Sequence, residues 1–186
     1  ITGSGKTEIY IKLIDDASYW NRSAGVYGLF ELKDFSVTDI LLDKMFDDNM
    51  IDGDIKEKFQ ENINEYKFIL IKKFSEINEK SNKEKIIELI SETKVPEGFQ
   101  FLKDIIADKS SLTREYAFKM LVANYKNNYQ IALEFLNDPY LQEYALYCIL
   151  NEGTENDLHY FTEILKKSKE AKIKIIAYQA INKWAN

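Results

Sequence analysis

One spacing of residue types recurs four times in this chain and predicts paired helices. A long polar residue is followed three positions later by a small residue and seven positions later by an aliphatic one. These offsets lie on one face of an α-helix, so the small residue lets another backbone approach while the aliphatic residue packs. Short amphipathic segments accompany these sets, which indicates an internal helical repeat. The sets are Arg22, Gly25 and Leu29; Arg114, Ala117 and Leu121; Gln142, Ala145 and Ile149; and Lys174, Ala177 and Ile181.

The rest of the chain follows helical periodicity as well. No alternating stretch is bounded by hairpin turns, so the sequence predicts an all-α fold with no sheet. We expect a single helical repeat domain over residues 1–186, with irregular longer helices within 54–107. The predicted helices are 6–16, 17–32, 38–48, 54–78, 82–92, 96–106, 110–125, 128–136, 139–153, 155–167 and 170–184.

One stretch combines a turn aspartate, a helix in the recurring register, a second helix and an Asp-Pro step that opens the next pair. Its residues are Asp108, Arg114, Ala117, Leu121, Asp138 and Pro139. This order resembles HEAT repeats, a family of right-handed α-solenoids. The resemblance implies a right-handed α-solenoid of about five HEAT-like helix pairs, and it implies a protein-binding scaffold more often than an enzyme.

The resemblance also implies structural roles for particular side chains. In HEAT repeats an Asp in the turn and an Arg in the first helix commonly support each other. This role carries over to Asp108 with Arg114 and to Asp16 with Arg22. In the later copies, glutamine and lysine stand in place of the arginine.

Charge is unevenly distributed and bears on the kind of partner. The formal net charge is −6 at pH 7, and residues 1–52 hold 10 acidic and 5 basic side chains. An acidic end disfavours nucleic acid and favours a protein partner with a basic surface. No apolar run is long enough to cross a bilayer, so no membrane partner is expected. The single cysteine cannot form an internal disulfide, which fits a cytoplasmic location.

The candidate partner-binding residues lie near the N-terminus. Asp39, Asp43 and Asp47 stand at i, i+4 and i+8 of one predicted helix, opposite its apolar face. Like charges at this spacing repel each other, so the set is either a stripe that meets a basic partner or a merely soluble surface. Tyr19 and Trp20 could anchor the partner or belong to the core, and the core is the favoured position for Trp20.

The first residues suggest a different chemistry. Thr2-Gly3-Ser4-Gly5-Lys6-Thr7 looks like the end of a phosphate-binding loop and is similar to the ATP site of replication-restart helicases. Such a loop needs a Gly five residues before Gly5, a preceding buried strand and a parallel sheet. The sequence predicts no strand, and Thr7-Glu8-Ile9 resembles Thr38-Asp39-Ile40. The favoured interpretation is therefore the second helix of a repeat.

Other residues that could take part in catalysis or ligand binding have simpler interpretations. His159 is the only histidine and has no cysteine or second histidine at ligand spacing, so we expect no zinc site and a half-buried helix position. Cys148 fits a small buried hydrophobe better than a nucleophile. Five lysines form a basic cluster that fits a solvated face, with nucleic-acid contact as the alternative; they are Lys166, Lys167, Lys169, Lys172 and Lys174.

The sequence therefore predicts a non-enzymatic protein–protein interaction scaffold without a cofactor. A bacterial immunity protein or an adaptor with an acidic binding face would be a concrete form of it. The alternatives are a HEAT-like nucleic-acid-binding or DNA glycosylase-type protein and a fragment of a P-loop ATPase or helicase. In a HEAT-like array the second helices line the concave side; here they begin near Lys6, Thr38, Asn82, Asn128 and Thr154.

Overall fold

A computed structural model describes residues 5–47, 50–126 and 128–185 of the chain. Within these ranges the chain forms twelve α-helices and two short 3-10 helices, and no strand. The prediction of an all-α fold without a sheet is confirmed for this part of the chain. In the same ranges no helix has the length and apolar content needed to span a membrane. Thr2, Gly3 and Ser4 of the predicted phosphate loop lie outside the described residues.

The first compact unit is Ile1–Thr93. Helix α2 packs on α4 and α4 packs on α6, so these three form one row, while α1, α3 and α5 each pack on the helix that follows. The helices are α1 (Gly5–Leu13), α2 (Tyr19–Glu31), α3 (Thr38–Asp47), α4 (Asp52–Glu61), α5 (Ile63–Glu76) and α6 (Lys80–Glu92).

The second compact unit is Lys94–Asn186. It repeats the arrangement of the first: α8, α10 and α12 form one row, while α7, α9 and α11 each pack on the next helix. Consecutive helices thus make six packed pairs in the described residues, where about five were predicted. The prediction of one repeat domain over residues 1–186 stays a prediction. The helices are α7 (Pro96–Ala107), α8 (Arg114–Asn124), α9 (Asn128–Glu134), α10 (Gln142–Glu152), α11 (Leu158–Lys167) and α12 (Ala171–Trp184).

The recurring register marks the buried face of four helices. Its small residues and three of its four aliphatic residues are buried, whereas Ile181 is half-buried. At Gly25 the helices α1 and α2 come so close that a Cβ atom would lie 2.8 Å from Ile14 Cγ2 and 2.9 Å from the Tyr10 carbonyl oxygen. The small residue of the register therefore allows α1 and α2 to pack this closely. The buried members are Gly25, Leu29, Ala117, Leu121, Ala145, Ile149 and Ala177.

The predicted long helix over residues 54–78 is wrong. The chain leaves the helix at Asn62, whose side-chain Nδ2 donates to the Lys58 carbonyl oxygen at 2.8 Å, and α5 begins at Ile63. Buried apolar side chains continue at helical spacing on both sides of this break, so the periodicity alone hides it. The break also changes the pairing: α6, expected to belong with α1 and α3, packs on α4 in the row of α2.

Two helices begin later than the sequence predicted, because aspartate turns precede them. Residues 108–113 precede α8 and residues 138–141 precede α10. In contrast, helical structure begins at residue 155 as the sequence predicted: the Thr154 backbone N–H donates to Asp157 Oδ2 at 2.8 Å in a capping box. Such a box satisfies N–H groups that the first helical turn leaves unpaired.

Candidate protein-interaction surface

The turn before α2 and the turn before α8 are built in the same way. The Asp16 carboxylate accepts from the Ser18 backbone N–H at 2.8 Å, and the Asp108 carboxylate accepts from the Ser110 backbone N–H at 2.9 Å. Aspartate side chains stabilise turns by accepting this local hydrogen bond. Both segments read Asp-x-Ser-x-apolar-x-Arg, with an arginine six residues after the aspartate.

Arg22 ties the first of these turns to the helix that follows. Its Nη1 donates to the carbonyl oxygens of Asp16 at 2.9 Å and Ala17 at 3.1 Å, and its Nη2 donates to Met50 Sδ at 3.3 Å. The hydrogen bond from Ser18, with a further effect of the Arg22 charge, holds the pKa of Asp16 below its usual value. The structure therefore brings the predicted pair Asp16 and Arg22 together.

Arg114 makes the corresponding contact but has a different ion-pair partner from the one predicted. Its Nε donates to the Ile106 carbonyl oxygen at 2.8 Å, and its Nη2 donates to Asp138 Oδ2 at 2.5 Å. Asp108 accepts the backbone N–H and the hydroxyl of Ser110. The arginine thus joins the end of α7 to the turn before α10. Sequence reasoning considered the aspartate nearer in the chain.

Large exposed apolar side chains lie near both arginines in the sequence. Trp20 and Leu112, each two residues before its arginine, are both 79% exposed. Met50 contacts Arg22 and is 65% exposed. Tyr140 stands two residues after Asp138, the ion-pair partner of Arg114, and is 78% exposed. Contiguous apolar patches rimmed by polar residues mark interaction sites, so these exposed side chains are candidates for one.

The favoured core position for Trp20 is wrong. Trp20 lies in the first turn of α2, whereas the buried face of that helix is formed later by Gly25, Val26 and Leu29. Tyr19 is half-buried beside it, with the ring centroids 5.4 Å apart. The Tyr19 hydroxyl donates to the Asp54 carboxylate at 3.2 Å, and this hydrogen bond raises the tyrosine pKa. Tyr19 is therefore held in place by a hydrogen bond, whereas the Trp20 ring is exposed.

Several carboxylates lie in the turns and helix ends next to this pair, a region of the first unit that we call the acidic end. It comprises the turn from α1 to α2, the last turn of α3 and the start of α4. Its described carboxylates are Asp15, Asp16, Asp47, Asp52 and Asp54. Its basic side chains are Lys12, Arg22, Lys44 and Lys85 of α6, whose Nζ donates to the Met45 and Phe46 carbonyl oxygens in the last turn of α3. Lys44 pairs with Asp15 at 2.6 Å, so part of the positive charge is already engaged.

The three aspartates of the predicted stripe differ in their surroundings. Asp39 begins α3 and forms an ion pair with Lys73 of α5 at 2.7 Å. Asp43 and Asp47 are exposed and form no ion pair with the described residues. Asp47 lies at the acidic end, about 12 Å along the helix from Asp39 at 1.5 Å per residue. The structure thus groups Asp47 with Tyr19 and Trp20 and separates Asp39 from them.

The other chemically distinctive residues do not form a site. His159 is exposed, contrary to the expected half-buried position, and its Nδ1 lies 2.7 Å from the Asn156 carbonyl oxygen. Cys148 is buried, and burial raises the pKa of its thiol to about 12. A thiol with this pKa is protonated at neutral pH and is not nucleophilic. In the described part of the chain no three His, Cys, Asp or Glu side chains could hold a metal ion.

Comparison with known proteins does not assign the chain to a family. No protein-family model matches the sequence, and no curated protein matches it either. The exposed side chains and charges of the two units therefore carry the functional argument. Sequence reasoning missed Leu112 and Tyr140; the repeated Asp-x-Ser-x-apolar-x-Arg pattern could have indicated Leu112, whereas Tyr140 lies outside it.

Proposed function

We propose that this chain is a non-enzymatic protein-interaction module, built as a HEAT-like right-handed solenoid, that binds a basic protein surface through the acidic end. The observation that carries the proposal is Trp20, which is 79% exposed beside Tyr19, whose hydroxyl donates to the Asp54 carboxylate. An immunity protein or an adaptor is a form of such a module.

The physical argument joins an apolar anchor to complementary charge. Tryptophan is enriched among the few residues that dominate binding energy, because its large ring loses water when a partner covers it. A lysine or arginine of the partner can lie over an indole face and also approach the neighbouring carboxylates. Opposite charges raise the association rate, whereas the buried ring slows dissociation.

The same charges argue against the alternative partners. A nucleic-acid backbone would meet Asp15, Asp16, Asp47, Asp52 and Asp54 and would be repelled. The phosphate-loop alternative rests on Lys6 and Thr7, which belong to helix α1 at the other end of the first unit. There the Thr7 hydroxyl donates to Asp34 at 3.3 Å. A protein with a basic surface is the partner that fits the acidic end best.

The test compares binding of the synthetic peptides decalysine and decaglutamate to the intact protein. We expect decalysine to bind at low salt and decaglutamate not to bind. Trp20→Ala should weaken decalysine binding about tenfold, a loss of about 1.4 kcal/mol. Phe68→Ala is the matched control, since Phe68 is an exposed aromatic residue of α5 in the same unit.

Two results would contradict the proposal. One is equal binding of decalysine by wild type and Trp20→Ala. The other is tighter binding of a DNA duplex than of decalysine at the same salt concentration. Circular dichroism of each variant checks that the helices are intact, so a loss of binding is not a loss of fold.

A further inference from the structure

Helix α12 carries a stripe of exposed side chains on the face opposite its buried one. Ala171, Ile175, Tyr178 and Asn182 stand at i, i+4, i+7 and i+11, a spacing that places them on one face of the helix. All four are exposed, and the two large apolar residues, Ile175 and Tyr178, are 54% and 56% exposed. We call these four residues the α12 stripe.

The recurring register indicates what kind of element packs at this position. Tyr178 stands four residues after Lys174, the first residue of its set. The residues at the same place in the other three sets are Val26, Phe118 and Leu146, and all three are 0% exposed. They belong to α2, α8 and α10, and each of these helices has the next helix of its row packed on it. The position of Tyr178 is therefore one that accepts a neighbouring helix.

The charge around the α12 stripe is positive. Helix α12 holds three lysines and no carboxylate, whereas every other described α-helix contains at least one Asp or Glu. Helix α10 packs beside it and contributes two glutamates, of which Glu143 lies 3.9 Å from Lys172. Within α10 and residues 158–185, six lysines stand against four carboxylates. These are Lys166, Lys167, Lys169, Lys172, Lys174 and Lys183, and Glu143, Glu152, Glu163 and Glu170.

This charge argues against a second copy of the chain as the occupant of the stripe. A two-fold contact brings the same surface of both copies face to face. The lysines of one α12 would then lie against those of the other, with no carboxylate on either helix to offset them. Like charges brought together across an interface disfavour the contact.

We infer that the α12 stripe binds an amphipathic helix of a partner protein, whose apolar side chains cover Ile175 and Tyr178 and whose flanking carboxylates meet the lysines around α12. Amphipathic helices bind apolar surfaces through side chains spaced as those of the stripe are. The stripe extends over about 16 Å at 1.5 Å per residue, so a helix of about three turns covers it.

This site is independent of the acidic end in location and in the charge of its partner. Its residues belong to Lys94–Asn186, whereas the acidic end belongs to Ile1–Thr93. The partner expected here carries carboxylates, whereas the partner expected at Trp20 is basic. Failure of one proposal therefore leaves the other untouched.

The experiment measures binding of two synthetic helical peptides to the intact protein by fluorescence anisotropy. The first has leucine at i, i+4, i+7 and i+11 with alanine and glutamate elsewhere, and the second has glutamine in place of every glutamate. We expect the glutamate peptide to bind at low salt and the glutamine peptide to bind about tenfold more weakly. The difference should shrink at high salt, because exposed charges are screened.

Two variants locate the glutamate peptide on the protein. Tyr178→Ala should weaken its binding about tenfold. Tyr140→Ala is the matched control, because Tyr140 is an exposed tyrosine of the same unit that lies before α10 and outside the stripe, and it should leave binding unchanged. Tyr178 is exposed, so urea denaturation should give Tyr178→Ala the stability of the wild type.

Three results would overturn the inference. One is equal binding of the glutamate peptide by wild type and Tyr178→Ala, and another is equal binding of the glutamate and glutamine peptides at low salt. The third is a dimer in analytical ultracentrifugation that Tyr178→Ala abolishes, since this would assign the stripe to a second copy of the chain.

Discussion

Arg114 and Asp138 form an ion pair across 24 positions of sequence, with 7% and 12% of their side chains exposed. The guanidinium also holds the Ile106 carbonyl oxygen, so one side chain joins the end of α7 to the turn before α10. The carboxylate in turn accepts the Tyr140 backbone N–H at 3.0 Å. The pair therefore holds two turns in place. Loss of either partner would leave the charge of the other nearly buried and unpaired.

We predict that Arg114→Ala lowers the free energy of unfolding by about 3 kcal/mol, because it leaves Asp138 and the Ile106 carbonyl without their partner. Lys119→Ala is the control, because it removes an exposed ion pair with Glu115 on the same helix. The control should cost less than about 1 kcal/mol. Urea denaturation measures both values, and equal midpoints for the two variants would contradict the prediction.

The same pair predicts how stability depends on pH. Burial opposes ionisation of Asp138, but the hydrogen bonds from Arg114 and from the Tyr140 backbone outweigh it, so its pKa lies below the usual value. A depressed pKa stabilises the fold above the unfolded-state pKa, and this stabilisation is lost as pH falls through the folded-state pKa. Asp138→Asn should therefore flatten the loss of stability below about pH 4. Thermal melts between neutral and acidic pH measure the slope.

Gly25 and Gly53 provide a comparison of a packed glycine with an open one. A Cβ at Gly25 would meet the backbone of Tyr10 and Ile14 at 2.9 Å, whereas a Cβ at Gly53 in α4 would meet nothing within 4 Å. Gly25→Ala should destabilise by about 1–3 kcal/mol, because α1 and α2 must move apart. Gly53→Ala should stabilise by about 0.5–1 kcal/mol, since alanine favours the helix. Opposite signs in urea denaturation are the expected result, and a shared sign would refute the close packing.

Tyr66 predicts a stabilising substitution in the core. It is 1% exposed among Phe30, Phe35 and Phe59, and its hydroxyl has no hydrogen-bond partner among the described residues. Tyr66→Phe removes a buried polar group and should raise the free energy of unfolding by about 1 kcal/mol. Tyr129→Phe is the opposite case, because its hydroxyl donates to Asp157, and it should lower stability by about 1 kcal/mol. A loss of stability in Tyr66→Phe would show that the hydroxyl does have a partner.

The sequence predicted helices and their buried positions well, because both follow from periodicity within one segment. The recurring register located the close approach at Gly25 without any structure. The sequence placed Trp20 less well, since a large apolar residue fits a core or an interface equally, and only the packing of α2 distinguishes them. The break at Asn62 was hidden because the buried positions on its two sides keep one period.

The partner of Arg114 shows a second limit of sequence reasoning. Asp108 and Asp138 both stand in turns, and the resemblance to HEAT repeats implied Asp108. The choice depends on how α8 packs against α10, which is a long-range contact that a single sequence does not encode in its local pattern. The partner-binding residues stay a prediction, and the sequence alone does not say which of them lie close together. Asp47 and the aromatic pair lie at one end, whereas Asp39 is held elsewhere by Lys73.

The three aspartates of α3 should therefore behave differently when each is replaced by asparagine. Asp39→Asn removes an ion pair with Lys73, which keeps Glu76 as a partner at 2.9 Å, so the cost should be below about 1 kcal/mol. Asp43→Asn and Asp47→Asn relieve repulsion between like charges. Asp47 also stands at the negative end of the helix dipole, so Asp47→Asn should stabilise by a few tenths of a kcal/mol, about 0.3–0.5.

Binding should rank the same variants in another order. Asp47→Asn removes a charge from the acidic end and should slow association with decalysine most, whereas Asp39→Asn should change the rate least. The difference should be largest at low salt, because screening acts within about 10 Å at 0.1 M. Stopped-flow measurements at two salt concentrations give the rates. Equal slowing by Asp39→Asn and Asp47→Asn would mean that net charge alone steers the peptide. The acidic end around Trp20 would then not be the binding surface.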